Sequence, residues 1–212
     1  MTSDDVERFT ELLCSRLCHD LISPIGAISN GLELVAEGDG GLLKDAISLI
    51  GLSSRQASAR LAYFRLAFGA WGSAGVLGFG AIRGIIEEHF NEKKCPVTWS
   101  EPVPLDENLV DKRIGKLVLN LLLVAAECAQ RDGDVRGALV LDRTRPRVSI
   151  VVRADRCKLR DDVRSGFVEN IEVSALTVRN VVAHHCQRLC QSLALDLTIT
   201  DHGSNSLEFC AA

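Results

Sequence analysis

Cys18-His19-Asp20-Leu21-Ile22-Ser23-Pro24-Ile25 places a histidine in mid-helix, an acid directly after it and a proline five residues on. The surrounding apolar residues Leu13, Leu17, Leu21, Ile25, Ile28, Leu32 and Val35 recur at steps of three or four and predict one stripe along a helix. His19 lies off that stripe. Its own face carries Ser15, Arg16, Ser23, Gly26, Ala27 and Asn30, which are small or polar. An imidazole on such a low-relief face is open to approach by another protein, whereas a buried one is not.

Working outward, Thr2 and Asp5 have the form of a capping box and start this first helix, which runs to about Glu37. The turn Glu37-Gly38-Asp39-Gly40-Gly41 breaks it. A second helix is predicted from about Leu42 to Phe68, with Ala46, Ile47, Ile50, Ser54, Ala57, Leu61, Phe64 and Phe68 on one face. Residues 1–68 thus form an antiparallel helical hairpin. A two-helix hairpin leaves an apolar face uncovered, and pairing two copies into a four-helix bundle buries the same stripe twice, so a homodimer is expected.

Residues 69–80, GAWGSAGVLGFG, are rich in glycine and read as a linker. Residues 81–212 change pattern. Helices are expected at Ile82–Lys94, Asn108–Gln130 and from about Val173 to Ser192. Strands are expected at Cys95–Trp99, Ala138–Asp142, Arg147–Arg153, Ala194–Thr200 and Ser206–Cys210, with Thr144-Arg145-Pro146 as a turn. Helices on one face of a mostly antiparallel sheet make an α+β sandwich.

The order histidine, acid, apolar, two variable positions, proline, apolar resembles the H-box of histidine kinases and of dimeric histidine phosphotransferases, with His19, Asp20, Leu21, Pro24 and Ile25 in those slots. The longer string LCSRLCHDLISPIGAISNGLEL (residues 13–34) and the later RLAYFRLAFGA (residues 60–70) resemble the ChpT-like phosphotransferases of alphaproteobacteria. The element order of residues 81–212 resembles the ATP-binding domain of histidine kinases. The resemblance implies a phosphoacceptor at His19, aided by Asp20 and Arg16, and docking of a receiver domain over Ser15, Ser23, Gly26, Ala27 and Asn30.

Against the kinase pattern the residues depart in three places. The long helix should carry two asparagines four apart for magnesium and phosphate; Asn120 matches the first, and the second position is Val124, which offers no oxygen to a hard cation. The acid that should precede spaced glycines is present as Asp155, but Arg156-Cys157-Lys158-Leu159 follows it. The loop over the phosphates should be glycine-rich, and ENIEVSALTV (residues 169–178) has no glycine. The second domain therefore reads as a degenerate, kinase-like shell without ATP binding, and the protein as needing no cofactor of its own.

Composition narrows the classes further. The 212-residue chain is 47% hydrophobic and 25% charged, with a net charge of -4. It has no clustered basic surface, which argues against a general nucleic-acid binder. No run approaches the ~20 apolar residues of a membrane span, and the polar, acidic start has no secretory character. A cytoplasmic protein is expected, its eight cysteines reduced. Cys14 and Cys18, one turn apart, read as packing residues. His184-His185-Cys186 with Cys190 reads as an inward-facing helix rather than a metal site, for want of a second ligand cluster.

Transfer between histidine and aspartate needs a nitrogen nucleophile that is neutral near pH 7, which imidazole supplies at an ordinary pKa of ~6.5. The rest is alignment and charge neutralisation. Magnesium would come with the partner's receiver domain. Arg16 either attracts phosphate or pairs with Asp20, its i+4 neighbour. Pro24 lacks an amide hydrogen, which frees the carbonyl of Asp20 and allows a bend. The expected function is relay of a phosphoryl group from a hybrid histidine kinase through His19 to response regulators. An ATP-dependent histidine kinase core and a non-catalytic receiver-binding adaptor are the alternatives.

Overall fold

A computed structural model describes residues 2–37, 41–71, 75–92, 95–100, 109–129, 133–140 and 146–212. Helix α1 spans Ser3–Glu37 and α2 spans Leu43–Ala67. The capping box is reciprocal: the Thr2 amide donates to Asp5 Oδ2 at 2.8 Å, and the Asp5 amide to Thr2 Oγ1 at 3.2 Å. The two helices pack against each other as a hairpin. Gly31 leaves room for Ile50 of α2, because a Cβ there would fall 2.6 Å from Ile50 Cγ1. The turn residues 38–40 lie outside the described residues.

Strand β1 (Val76–Gly78) leads into α3 (Phe79–Glu92), then β2 (Val97–Trp99), β3 (Leu109–Asp111) and α4 (Lys112–Cys128). Strands β4 (Asp134–Val140) and β5 (Arg147–Arg153) follow. The chain then runs through the one-turn helix α5 (Asp161–Arg164), α6 (Val181–Leu193), β6 (Leu197–Asp201) and β7 (Ser206–Ala211). The main sheet has the order β2-β4-β5-β7-β6, antiparallel throughout except for the parallel β2–β4 pair. Burial alternates along its central strands, with Val135, Leu139, Val148, Ile150, Val152, Leu207 and Phe209 facing inward. Helix α4 covers that face and α6 packs against α4, which is buried on nearly every side from Leu117 to Ala125. The expected α+β architecture is thus the observed one.

Several boundaries differ from expectation, each for a local reason. Of the stretch 69–80 read as a linker, Val76–Gly78 form a strand paired antiparallel with Leu109–Asp111, and Phe79 is buried at the start of α3. Trp71 donates from its indole to the Leu66 carbonyl at 2.8 Å and lies over Gly115, where a Cβ would meet its ring at 2.3 Å. The long helix starts at Lys112 because Asp111 caps it, accepting from the Arg113 amide at 2.8 Å. The helix expected from Val173 begins only at Val181. Asn180 Oδ1 accepts from the Thr177 amide at 2.7 Å and so holds the preceding residues in a turn. The turn read at residues 144–146 lies mostly outside the described residues.

The hairpin does not stand apart from the sheet. Phe9 and Leu12 of α1, and Tyr63, Phe64 and Ala67 of α2, join the same hydrophobic core as α3, α4 and α6. Tyr63 is fully buried, stacks on His89 at 4.3 Å and donates its hydroxyl to the Leu119 carbonyl at 2.7 Å. On α1, Leu13, Leu17, Leu21, Ile28 and Val35 are partly covered, whereas Ile25 and Leu32 of the expected stripe are exposed, at 52% and 55%. Ile22 shares their face, and Leu43, Ile47 and Leu61 are exposed on α2. Cys14 and Cys18 are exposed rather than packed, because they point away from both α2 and the sheet domain; Cys186 and Cys190 are buried. Among the described residues no group of His, Cys, Asp or Glu is placed to hold a metal, and no helix is long and apolar enough to cross a membrane.

Candidate functional site

Helical spacing puts His19 on a different face of α1 from the residues that meet α2, and its side chain is 79% exposed. Asp20 is only 21% exposed and uses its two oxygens separately. Oδ1 lies 3.1 Å from His19 Nδ1, and Oδ2 accepts from Arg16 Nε at 2.9 Å. An ionised carboxylate can only accept, so this contact assigns the proton to Nδ1 and leaves the lone pair on Nε2. Arg16, one turn earlier, is 16% exposed, and its guanidinium also meets Glu127 in the last turn of α4. Burial works against the Arg16 charge, but the carboxylates of Glu127 and Asp20 outweigh it and raise its pKa above the usual value.

Pro24 is buried within α1 and has no amide to give to the Asp20 carbonyl. Arg60 of α2 takes that place, donating from its guanidinium to the same carbonyl. The turn that carries His19 is therefore held by α2 on one side and by α4 on another.

His19 opens onto a cleft of about 690 Å³ between α1 and the sheet domain. Ser15, Arg16, His19 and Asp20 form one wall; Val124, Glu127 and Cys128 of α4 form the floor; Lys158, Arg160 and Arg179 stand on the far side with Leu159, Val163 and Val178. Arg160 and Arg179 share Asp162, at 3.0 and 3.2 Å, so the far rim carries more positive than negative charge. Burial pushes the Cys128 thiol up to about 12, which keeps it protonated. The exposed His19 imidazole opens onto the same cleft.

Of the residues read as lying around His19, only Ser15, Arg16 and Asp20 share this cleft. Ser23 and Asn30 are exposed farther along α1, and Gly26 and Ala27 are half-buried. A Cβ at Gly26 would meet nothing within 4 Å, so that stretch is open. Sequence reasoning missed Arg60, Glu127, Lys158, Arg160 and Arg179. Two signals were available: Arg60 opens the family-like string of residues 60–70, and Glu127 is the single acid in its helix.

The positions that correspond to a kinase's nucleotide site are placed as follows. Asn120 is fully buried, and its amide donates to the carbonyls of Ala67 and Lys116 at 3.2 and 2.8 Å. Val124 reaches the cleft with no oxygen. Asp155 faces a separate recess with Asp134 and Asn205. Asn120 Oδ1 itself has no hydrogen-bond partner among the described residues, and the Val124 side chain adds no oxygen for a hard cation.

An exposed, oriented imidazole on a helical hairpin, set against an α+β domain, is the arrangement of a histidine phosphotransfer protein. Residues 79–205 match the family model of the histidine phosphotransferase C-terminal domain, and the chain belongs to that family. The protein phosphotransferase ChpT of Brucella abortus is 46% identical over 144 residues, which cover 67% of this chain and 66% of that one, just under two thirds of the relative's length. A bacterial phosphotransferase of known structure aligns with a TM-score of 0.84 at 32% identity, over 100% of this chain and 98% of the other. A histidine kinase domain from a blue-light-activated kinase of Erythrobacter litoralis aligns with a TM-score of 0.45 at 17% identity, over 93% and 95% of the two chains.

Proposed function

We propose that the protein accepts a phosphoryl group at His19 from the phospho-aspartate of a hybrid histidine kinase's receiver domain and passes it to aspartates of response regulators. The observation that carries this reading is the His19 ring, 79% exposed at the mouth of a basic-rimmed cleft with its Nδ1 held by Asp20. In the forward step the Nε2 lone pair forms a bond to phosphorus, and the bond from phosphorus to the aspartyl oxygen breaks. The donor carboxylate departs as the anion. The ring becomes cationic and keeps its Nδ1 proton, which Asp20 stabilises. The return step reverses these bonds onto a second receiver. The receiver supplies magnesium, and the cleft between α1 and the Lys158–Arg160 segment offers room and positive charge for its acidic site.

Two further parts belong to the same reading. The exposed face of Ile22, Ile25, Leu32, Leu43, Ile47 and Leu61 is covered by a second copy in a four-helix bundle, because a stripe this apolar along both helices of a hairpin favours self-association. The sheet domain works without ATP, as the redirected Asn120 and the oxygen-free Val124 support. The relay is assigned to the cytoplasm; no helix among the described residues is long and apolar enough to cross a membrane.

Intact mass after separate incubations with Mg-ATP and with a phosphorylated receiver domain tests this. Phosphate gained only from the receiver, and lost in His19→Ala, is the expected result. Phosphate gained from ATP alone, or retained by His19→Ala, would overturn it. The His19→Ala fold should be unchanged, within about 0.5 kcal/mol, because the side chain is exposed.

A further inference from the structure

The sheet domain contributes a residue to the geometry of the phosphoacceptor. We propose that Glu127 is a positioning residue for His19: through Arg16 it fixes Asp20 in the orientation that holds the His19 proton on Nδ1. The assignment rests on the phosphotransfer reading above and deepens it.

Glu127 is poorly placed for its own helix. It is the only acid in α4 and sits in the last turn, where the exposed carbonyls disfavour negative charge. A residue that breaks a local rule needs a compensating contact, and Glu127 has one in the guanidinium of Arg16, 111 residues away in sequence. Arg16 is largely buried and lies between two carboxylates, Glu127 on one side and Asp20 Oδ2 at 2.9 Å on the other. With Oδ2 committed to Arg16, Oδ1 stands 3.1 Å from His19 Nδ1. The order of contacts is thus Glu127, Arg16, Asp20, His19, each partner restricting the next. A long arginine side chain has several rotamers, and Asp20 alone restrains only one edge of the guanidinium; the second carboxylate holds the rest.

The chemistry gives this a purpose. A neutral histidine in water favours the proton on Nε2, which would occupy the nitrogen that must attack phosphorus. Asp20 reverses the preference only while its carboxylate stays in place. Glu127 therefore acts on the population of attack-ready His19, and it makes no contact with the phosphoryl group.

Two readouts on the full chain test the proposal: the transfer rate from a phosphorylated receiver, and the His19 tautomer by nitrogen-15 NMR. Glu127→Gln should raise the share of Nε2-protonated His19 and slow transfer about tenfold, the scale of weakening one charge-assisted bond in a linked network. In an Asp20→Asn background the same change should add no further loss, because its route to the ring is already cut. Glu127→Asp, which keeps the charge and shortens the reach, should fall between, and it serves if the glutamine variant melts too low. An unaltered tautomer, or an equal loss with and without Asp20, would reduce Glu127 to a structural brace and overturn the proposal. A wild-type protein that takes no phosphate from any receiver would instead overturn the relay reading, and this assignment with it.

Discussion

Leu32→Asp separates the dimeric bundle from a self-sufficient hairpin. Leu32 is 55% exposed in the isolated chain, so about half of its burial remains to be gained on pairing. Full burial of a leucine is worth about 1.5–3 kcal/mol, which leaves about 1 kcal/mol per copy and about 2 kcal/mol for a symmetric pair. The substitution also places a carboxylate on the covered face in each copy, at a cost of about 2 kcal/mol each even with partial hydration. The total of about 6 kcal/mol corresponds to roughly four decades in Kd. Within one chain the change is mild, since the site is half solvated and the helix loses only about 0.5 kcal/mol of propensity. Sedimentation velocity over a concentration series, with circular dichroism as a check on helicity, reads the outcome. The wild type should sediment as a dimer and Leu32→Asp as a helical monomer. A variant that still sediments as the wild-type dimer, or a wild type that is monomeric at high concentration, would refute the argument from the exposed face.

Arg60→Ala should cost about 1.5–3 kcal/mol by denaturant unfolding, because the Asp20 carbonyl loses a charged donor. Adding Pro24→Ala should restore part of that, since the new amide can take the carbonyl within the helix; no recovery would mean that Arg60 does not serve the proline. His185 packs against Phe9 and Phe68, and burial, reinforced by the charges of Lys116 and Arg188, lowers its pKa to about 4. Its folded pKa is thus below the unfolded value of ~6.5, so between those limits the unfolded chain binds the proton and the folded chain does not. Stability should fall as pH drops from about 6.5, by about 2 kcal/mol at pH 5, and level off below about 4. His184, with its pKa lowered by burial and by Arg188, acts in the same direction. In His185→Leu the difference between pH 7 and pH 5 unfolding midpoints should shrink; an unchanged difference would show that His185 does not drive the acid limb.

The local features were legible without coordinates. The capping box, the long first helix, the off-stripe position of His19 and the freed carbonyl at Pro24 all depend on residues within a turn or two of each other, and helical spacing alone places them. Residue alternation predicted the strand Arg147–Arg153, and its burial alternates accordingly. Reading failed where a partner overrode local preference. Val76–Gly78 look like a flexible glycine-rich link until Leu109–Asp111 pair with them. Cys14 and Cys18 are exposed in the single chain, on the face of α1 that carries Ile22 and Ile25.

The site divides in the same way. The exposed histidine, the adjacent acid and the arginine one turn back were brought together by sequence alone, because a helix fixes their mutual positions. What surrounds them was decided by tertiary structure. Arg60 reaches Asp20 across 40 residues and Glu127 reaches Arg16 across 111, and no periodicity encodes contacts of that separation. Asn120 shows the limit most clearly: sequence marked it as the remnant of a nucleotide site, and packing against Ala67 made it a brace between the hairpin and the sheet domain. Neighbours along a helix are set by its pitch, whereas partners across a core are set by which faces must be buried together.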